Sequence, residues 1–338
     1  MTSLHVIAAD IGGTKTLLQL AEFKPGALRP RHVLREARYD SASYDDLAPL
    51  LADFLCGNDL PLHGACFAVA GPVQCDATYQ TAKLTNLPWQ LDSRRLAADL
   101  GIPTIRLIND FEAVGYGVET LRTDELVTLH ARPAQPHGPR VVLGAGTGLG
   151  VALLMPCDDH YAVFPTEAGH MDFGGNDAMH DGLLAFLRTE YGHVSWERVV
   201  SGPGLVNIYR YLLARDSAPA NDPLLQTADP AAAIATASDA RATAALKLFV
   251  HLYGAITGNL ALACLARGGV YLAGGIAARI LPHLQQGGFA HSYTDKGRMR
   301  AIVENIPVHV VTNPQVGLLG ALLVAARAAR TQEPGIRD

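Results

Sequence analysis

The sequence predicts an α/β protein with an open sheet in each of two domains of related topology. Three observations predict it. Short apolar strands alternate with helix-like stretches along the whole chain. A strand, glycine-rich turn and strand at residues 6–20 recur at 141–154. The 338 residues leave room for two domains that each bury a core.

The opening reads as two strands, about 4–10 and 15–23, joined by a tight turn, with a third near 31–39. A helix is expected from Ser43 to about Phe54, with Ser43 as its cap. "GACFAVAGPV" (64–73) reads as a short apolar strand that Gly-Pro stops. A helix at 93–101, a strand at 104–110 and a short helix at 111–121 follow. "ARPAQPHGP" (131–139) is a loop by composition, leading into "RVVLGAGTGLGVALLMP" (140–156), the second strand–turn–strand unit. The Ala/Pro/Asp-rich stretch 214–239 reads as an excursion. A long helix then runs to about Arg267. After it come a strand entering Gly274-Gly275, a helix, and an apolar closing helix at 315–330.

Composition excludes several classes. The formal charge is −5 and no basic run exceeds two residues, so no broad surface awaits a nucleic acid or an anionic membrane. Cys56, Cys66, Cys75, Cys157 and Cys264 are odd in number and form no C-x-C or C-x-x-C pair. That argues against a disulfide framework or a structural zinc site and predicts buried thiols in a reducing compartment. "MTSLHVIAAD" has no export signal, so a cytoplasmic setting is expected. Residues 249–266 run 18 residues without a formal charge and contain Gly254-x-x-x-Gly258, a pattern that also fits a membrane helix. His251, Thr257 and Asn259 would then lie in lipid, which favours a core helix.

The glycine-rich turns are phosphate candidates, because backbone N–H groups can approach an oxyanion where no Cβ intervenes. Neither G-x-x-x-x-G-K-[ST] nor G-x-G-x-x-G is present, and both turns join strand to strand. Plain hairpins are the alternative. Asp10, at a strand end beside the first turn, suits a hydrated Mg²⁺ or an Asx turn. Asn109 and Asp110 stand where a strand meets a helix, at the edge where open sheets bind ligands, and are equally good N-caps. "FPTEAGHMDF" sets Glu167 and His170 in one loop, a pairing suited to a neutral polyol: carboxylates accept from vicinal hydroxyls and imidazole does either. Glu197 joins them or serves as a capping acid from Ser195.

"DIGGTKT", "LINDFEAVGYG", "GAGTGLGVA", "TEAGHMDF", "ERVVSGPGLVNIYRYL" and "LAGGIAARI" follow one another in the order seen in bacterial glucokinases. The resemblance covers about residues 5–325. It implies the actin-like ATPase (ribonuclease-H-like) fold of the actin, hexokinase and heat-shock-chaperone group, two domains around a central cleft. The expected division is a small α/β domain of 1–120 plus 314–338 and a large one of 121–313. Asp10, Gly12, Gly13 and Thr14 resemble the first phosphate turn, with Asp10 organising Mg²⁺. Gly146, Thr147 and Gly148 resemble the second, and Gly274-Gly275 the adenosine element. Asn109, Glu167, His170 and Glu197 resemble the sugar ligands, Asn86 a loop residue near the sugar, and Asp110 the catalytic base. Ala168 departs from the E-G-G-H of many relatives. The zinc-binding cysteines of the repressor/open-reading-frame/kinase (ROK) sugar kinases are absent.

The implied reaction is ATP-dependent phosphorylation of glucose at its C6 hydroxyl by a cytoplasmic homodimer. Another hexose (mannose, fructose or an N-acetylhexosamine) as substrate, or a non-catalytic ATP-binding clamp, are the alternatives.

Overall fold

The computed structural model describes residues 3–76, 78–84 and 87–330. It divides into two compact units, one of Met1–Arg122 with Gln315–Asp338, the other of Thr123–Pro314.

The first unit is built on strands β1 (Leu4–Ile11), β2 (Lys15–Phe23), β3 (His32–Asp40), β4 (Gly64–Val69), β5 (Val73–Cys75), β6 (Gln80–Lys83), β7 (Gln90–Asp92) and β8 (Ile105–Asn109). Five of them form a sheet in the order β3-β2-β1-β4-β8. β1–β2–β3 is an antiparallel meander, while β1, β4 and β8 run parallel. Successive residues of β1 point to opposite faces, and both faces are covered. Val6 and Ala8 pack with Leu318, Leu322 and Ala325 of the closing helix Val316–Arg330. Ile7 and Ala9 pack with Leu50, Phe54 and Leu96 from helices Leu47–Leu55 and Ser93–Leu100. Helix Asp110–Val118 lies against the closing helix at close range, and a Cβ on Gly320 would run into the Ala113 carbonyl oxygen.

Three expectations are corrected here. The first helix is capped by Asp46, whose side chain accepts from Leu47 N; Ser43 sits in a preceding 3₁₀ turn. The apolar strand from Gly64 ends at Val69, ahead of Gly71-Pro72 as expected, but β5, β6 and β7, for which no strands were expected, make a separate small sheet. The cysteines are not uniformly buried: Cys66 is, but Cys56, Cys75 and Cys157 are exposed, and none is in a disulfide.

The second unit contains β9 (Leu126–His130), β10 (Arg140–Ala145), β11 (Leu149–Cys157), β12 (His160–Thr166), β13 (Gly269–Ala273) and β14 (Val308–Val311). Its sheet order is β12-β11-β10-β13-β14-β9. β10–β11–β12 is again an antiparallel meander, and β10, β13 and β14 are parallel. The first five positions therefore repeat the first unit's sheet, with β9 added antiparallel at the edge. The related topology expected from the echo of 6–20 in 141–154 is what the chain builds.

Helix Ala240–Ala263 threads the core of this unit with Phe249, Tyr253, Ile256 and Leu260 buried. It is long and apolar enough to cross a membrane, yet 67% of its most apolar window is buried within the protein. Gly254 and Gly258 let helix Gly288–Thr294 approach so closely that a Cβ on either would strike the carbonyls of Phe289 or Tyr293. The helix stops at Ala263, short of Arg267, and Leu265 then takes a left-handed φ of 47°. Within the 214–239 excursion, Asp229 caps a further helix, Pro230–Thr236.

Candidate functional site

In the first unit the carboxyl ends of β1, β4 and β8 lie side by side, Ile11 opposite Val69 and Val69 opposite Asn109. The turn between β1 and β2 closes with Gly12 N donating to Lys15 O at 2.9 Å. Ser41 clamps it from below, its hydroxyl donating to Gly12 O at 3.0 Å and its amide to Thr14 O at 3.1 Å. With these carbonyls engaged, the amides of Gly13 and Thr14 and the Thr14 hydroxyl are the candidate donors for a phosphate.

Asp10 stands one residue before the end of β1. It reaches solvent but is crowded by surrounding chain, and this desolvation, with the Asp110 carboxylate as a second cause, raises its pKa. Like charges are thus held close beside the turn. Among the described residues no three His, Cys, Asp or Glu side chains are grouped to hold a metal by themselves. Mg²⁺ needs no such cage, since one or two carboxylates plus substrate phosphates and water suffice. A pair of mutually repelling carboxylates beside a phosphate turn fits that mode.

Asn109 and Asp110 open helix Asp110–Val118. Asn109 is its N-cap: its Oδ1 accepts from Phe111 N at 2.8 Å and Glu112 N at 3.3 Å, and its Nδ2 donates to Gly71 O at 3.2 Å. The capping alternative therefore holds for Asn109. Nδ2 carries a second amide hydrogen beyond the bond to Gly71 O. Asp110 accepts from Phe111 N at 2.8 Å and faces Asp10 closely enough to perturb it.

In the second unit the β10–β11 turn is held by Gly146 N donating to Gly148 O and Gly202 N donating to Gly146 O, both at 2.8 Å. Helix Gly202–Arg215 starts there, capped by Ser201 with Pro203 in its first turn. Glu197 is not the capping acid of Ser195, which makes no side-chain cap bond. Its Oε2 accepts from Leu149 N at 2.9 Å and lies over Gly148, where a Cβ would come within 2.5 Å.

Glu167 precedes the 3₁₀ turn Ala168–His170 and makes no side-chain cap bond. Its side chain is 87% exposed and that of His170 60%, with Nε2 3.8 Å from Glu167 Oε2. Both are open for a ligand. Gly169 of the same turn is buried against the Leu149 carbonyl. One residue, Leu149, thus binds Glu197 through its amide and seats the Glu167–His170 loop against its carbonyl, directly after the second glycine turn.

β13 leads into Gly274, where the φ of +82° and the 2.8 Å at which a Cβ would meet Ala145 O admit only glycine. Gly146, Thr147 and Gly275 line one cavity of about 650 Å³, with Pro203, Ala231 and Ile276 among its apolar walls. The second turn and Gly275 are brought together as expected. The wall from Ala228 to Ala232 is not marked in the sequence: its one charged residue, Asp229, reads as the helix cap it is, and the others are Ala and Pro. Asn86 lies outside the described residues.

A meander-plus-parallel sheet occurring twice, each copy with a glycine turn after its first strand, defines an actin-like ATPase fold. The comparisons narrow the class. The glucokinase family matches residues 7–328. A glucokinase of Nostoc punctiforme is 45% identical over 95% of this chain and 99% of its own length. The solved glucokinase from an Antarctic psychrotroph superposes with a TM-score of 0.85 at 29% identity, covering 96% of this chain and 99% of that one. The glucokinase of Balamuthia mandrillaris, solved in complex with glucose, gives a TM-score of 0.75 at 27% identity over 96% and 94%. The chain belongs to the glucokinase family.

Proposed function

We infer that this enzyme transfers the γ-phosphoryl group of ATP to the C6 hydroxyl of glucose, with Asp110 as the base. One observation carries the reading: Asp110 sits beside Asp10 at the shared carboxyl edge of the parallel strands, next to the first glycine turn.

The transition state of phosphoryl transfer is loose, so alignment and charge neutralisation dominate. The turns at Gly12–Thr14 and Gly146–Gly148 would present amides and threonine hydroxyls to the triphosphate. The 650 Å³ cavity beside Gly275 has the size and apolar walls for the adenosine half. Asp10 would hold Mg²⁺ together with the nucleotide, and the ion supplies neutralisation of phosphate charge. Glu167, His170, Glu197 and the remaining amide hydrogen of Asn109 would fix the sugar hydroxyls. Asn86 joins this set by resemblance alone. A carboxylate with a reference pKa near 3.9 cannot form an alkoxide in advance, so Asp110 orients the hydroxyl and takes its proton late.

A coupled assay of ADP release over a panel of hexoses and phosphate donors tests the reading. Glucose with ATP is expected to give the highest kcat/KM. A better hexose redirects the substrate assignment, and no turnover with any pair leaves only a nucleotide-binding clamp.

The resemblance also supports a homodimer in the cytoplasm, a reducing setting in which five unpaired cysteines persist. Light scattering at assay concentration tests the dimer.

A further inference from the structure

In the first unit the groups offered to the triphosphate are neutral: the amides of Gly13 and Thr14 and the Thr14 hydroxyl. The side chains beside them, Asp10 and Asp110, are acids that already repel each other. Phosphoryl transfer at such a place calls for fixed positive charge as well as a metal ion.

One side chain of this turn has the opposite sign. Lys15 closes the turn through its backbone, its carbonyl accepting from Gly12 N at 2.9 Å, and opens β2. The sheet register fixes the side of the sheet on which it stands. Directly opposed residues of an antiparallel pair share a face, and positions alternate along each strand. Leu17 lies opposite Asp10, so Lys15, two residues before Leu17, is on the same face as Asp10. Thr16 and Leu18 belong to the other face and are buried, whereas Lys15 is exposed. Asp40 lies opposite Lys15 on β3, yet its carboxylate caps the 3₁₀ turn Ser41–Ser43 by accepting from Ala42 N at 3.1 Å. Among the described residues the Lys15 ammonium has no hydrogen-bond or ion-pair partner.

We infer that Lys15 is a further catalytic residue of phosphoryl transfer: its ammonium meets the ADP oxygens that gain charge as their bond to phosphorus breaks. A compact charge with three rotatable donors suits a phosphate. Because the charge it meets develops in the transition state, its loss appears in kcat. The inference rests on Gly12–Thr14 being a phosphate turn.

The test is initial-rate kinetics with ATP and glucose varied, in the wild type, Lys15→Met, Lys15→Arg and Thr14→Ala, with thermal melts. Lys15→Met keeps the length of the side chain and removes its charge. Its kcat should fall about 10²-fold with glucose KM within about twofold. Lys15→Arg restores the charge and should return kcat to within about tenfold of the wild type. All three variants should melt within about 2 °C of the wild type, since both side chains are exposed. A Lys15→Met enzyme within about threefold of the wild-type kcat overturns the inference. Equal losses in Lys15→Met and Lys15→Arg also overturn it, because shape rather than charge would then be the cause. Thr14→Ala reads the assignment beneath it and should raise ATP KM about tenfold. If Thr14→Ala leaves both ATP KM and kcat unchanged, the phosphate-turn reading itself falls, whichever way Lys15→Met goes.

Discussion

Gly148→Ala isolates the role of Glu197 without touching its carboxylate. A Cβ at position 148 would come within 2.5 Å of Glu197 Oε2, well inside ordinary contact, so the carboxylate must retreat by about 1 Å. Retreat gives up the 2.9 Å bond from Leu149 N. A hydrogen bond to a charged group contributes about 1.5–3 kcal/mol, and a misplacement of about 1 Å at a site can cost about a hundredfold. Glucose KM should therefore rise about ten- to a hundredfold. The backbone at Gly148 is not left-handed, so the fold absorbs the methyl and the melting temperature falls by less than about 4 °C. Gly146→Ala is the matched control: its Cβ would meet nothing within 4 Å, and glucose KM should stay within about twofold. Initial-rate kinetics at saturating ATP, with thermal melts, make the measurement. An unchanged glucose KM in Gly148→Ala would refute the placement of Glu197 on the sugar.

Three further outcomes are expected. Glu167→Ala should raise glucose KM about tenfold with little change in kcat and none in melting temperature, because the side chain is 87% exposed and bonds nothing that holds the fold. Gly320→Ala should destabilise by about 1–3 kcal/mol, since its methyl lands on the Ala113 carbonyl, with urea titration as the check. Glu112 binds its proton more tightly in the fold than in the unfolded chain, so its contribution to stability is greatest below about 4.5 and falls as pH rises to about 7. At 1.36 kcal/mol per unit this approaches about 3 kcal/mol, so Glu112→Gln should match the wild type in urea melts at pH 5 and exceed it at pH 8.

The frame of the protein was legible because its signals are local. Gly12–Thr14 and Gly146–Gly148 each interrupt two apolar runs, and this repetition alone implied the paired sheets that the two units share. Asn109 was ambiguous for a physical reason: the groups that cap a helix are those that bind a hydroxyl, and here the cap takes the oxygen while an amide hydrogen remains. The capping alternative for Glu197 stays open in the sequence because its actual partner, Leu149 N, is 48 residues away. Strands β5, β6 and β7 were missed because three- and four-residue strands carry too little pattern to register. The cap at Asp46 was displaced by three residues from Ser43, since both residue types serve equally well. The wall at Ala228–Ala232, the capped start of a short Ala-rich helix, carries no glycine turn or ligand motif, so only the assembled unit reveals it.

The central claim is that the Asp110 carboxylate, raising its neighbour Asp10 from across the strand edge, takes the proton of the glucose hydroxyl. The most direct measurement is kcat of Asp110→Ala at saturating glucose and ATP. Loss of a general base predicts a fall of about 10²–10⁴ with glucose KM nearly unchanged. A fall of less than about tenfold would leave Asp110 as the first residue of a helix and nothing more.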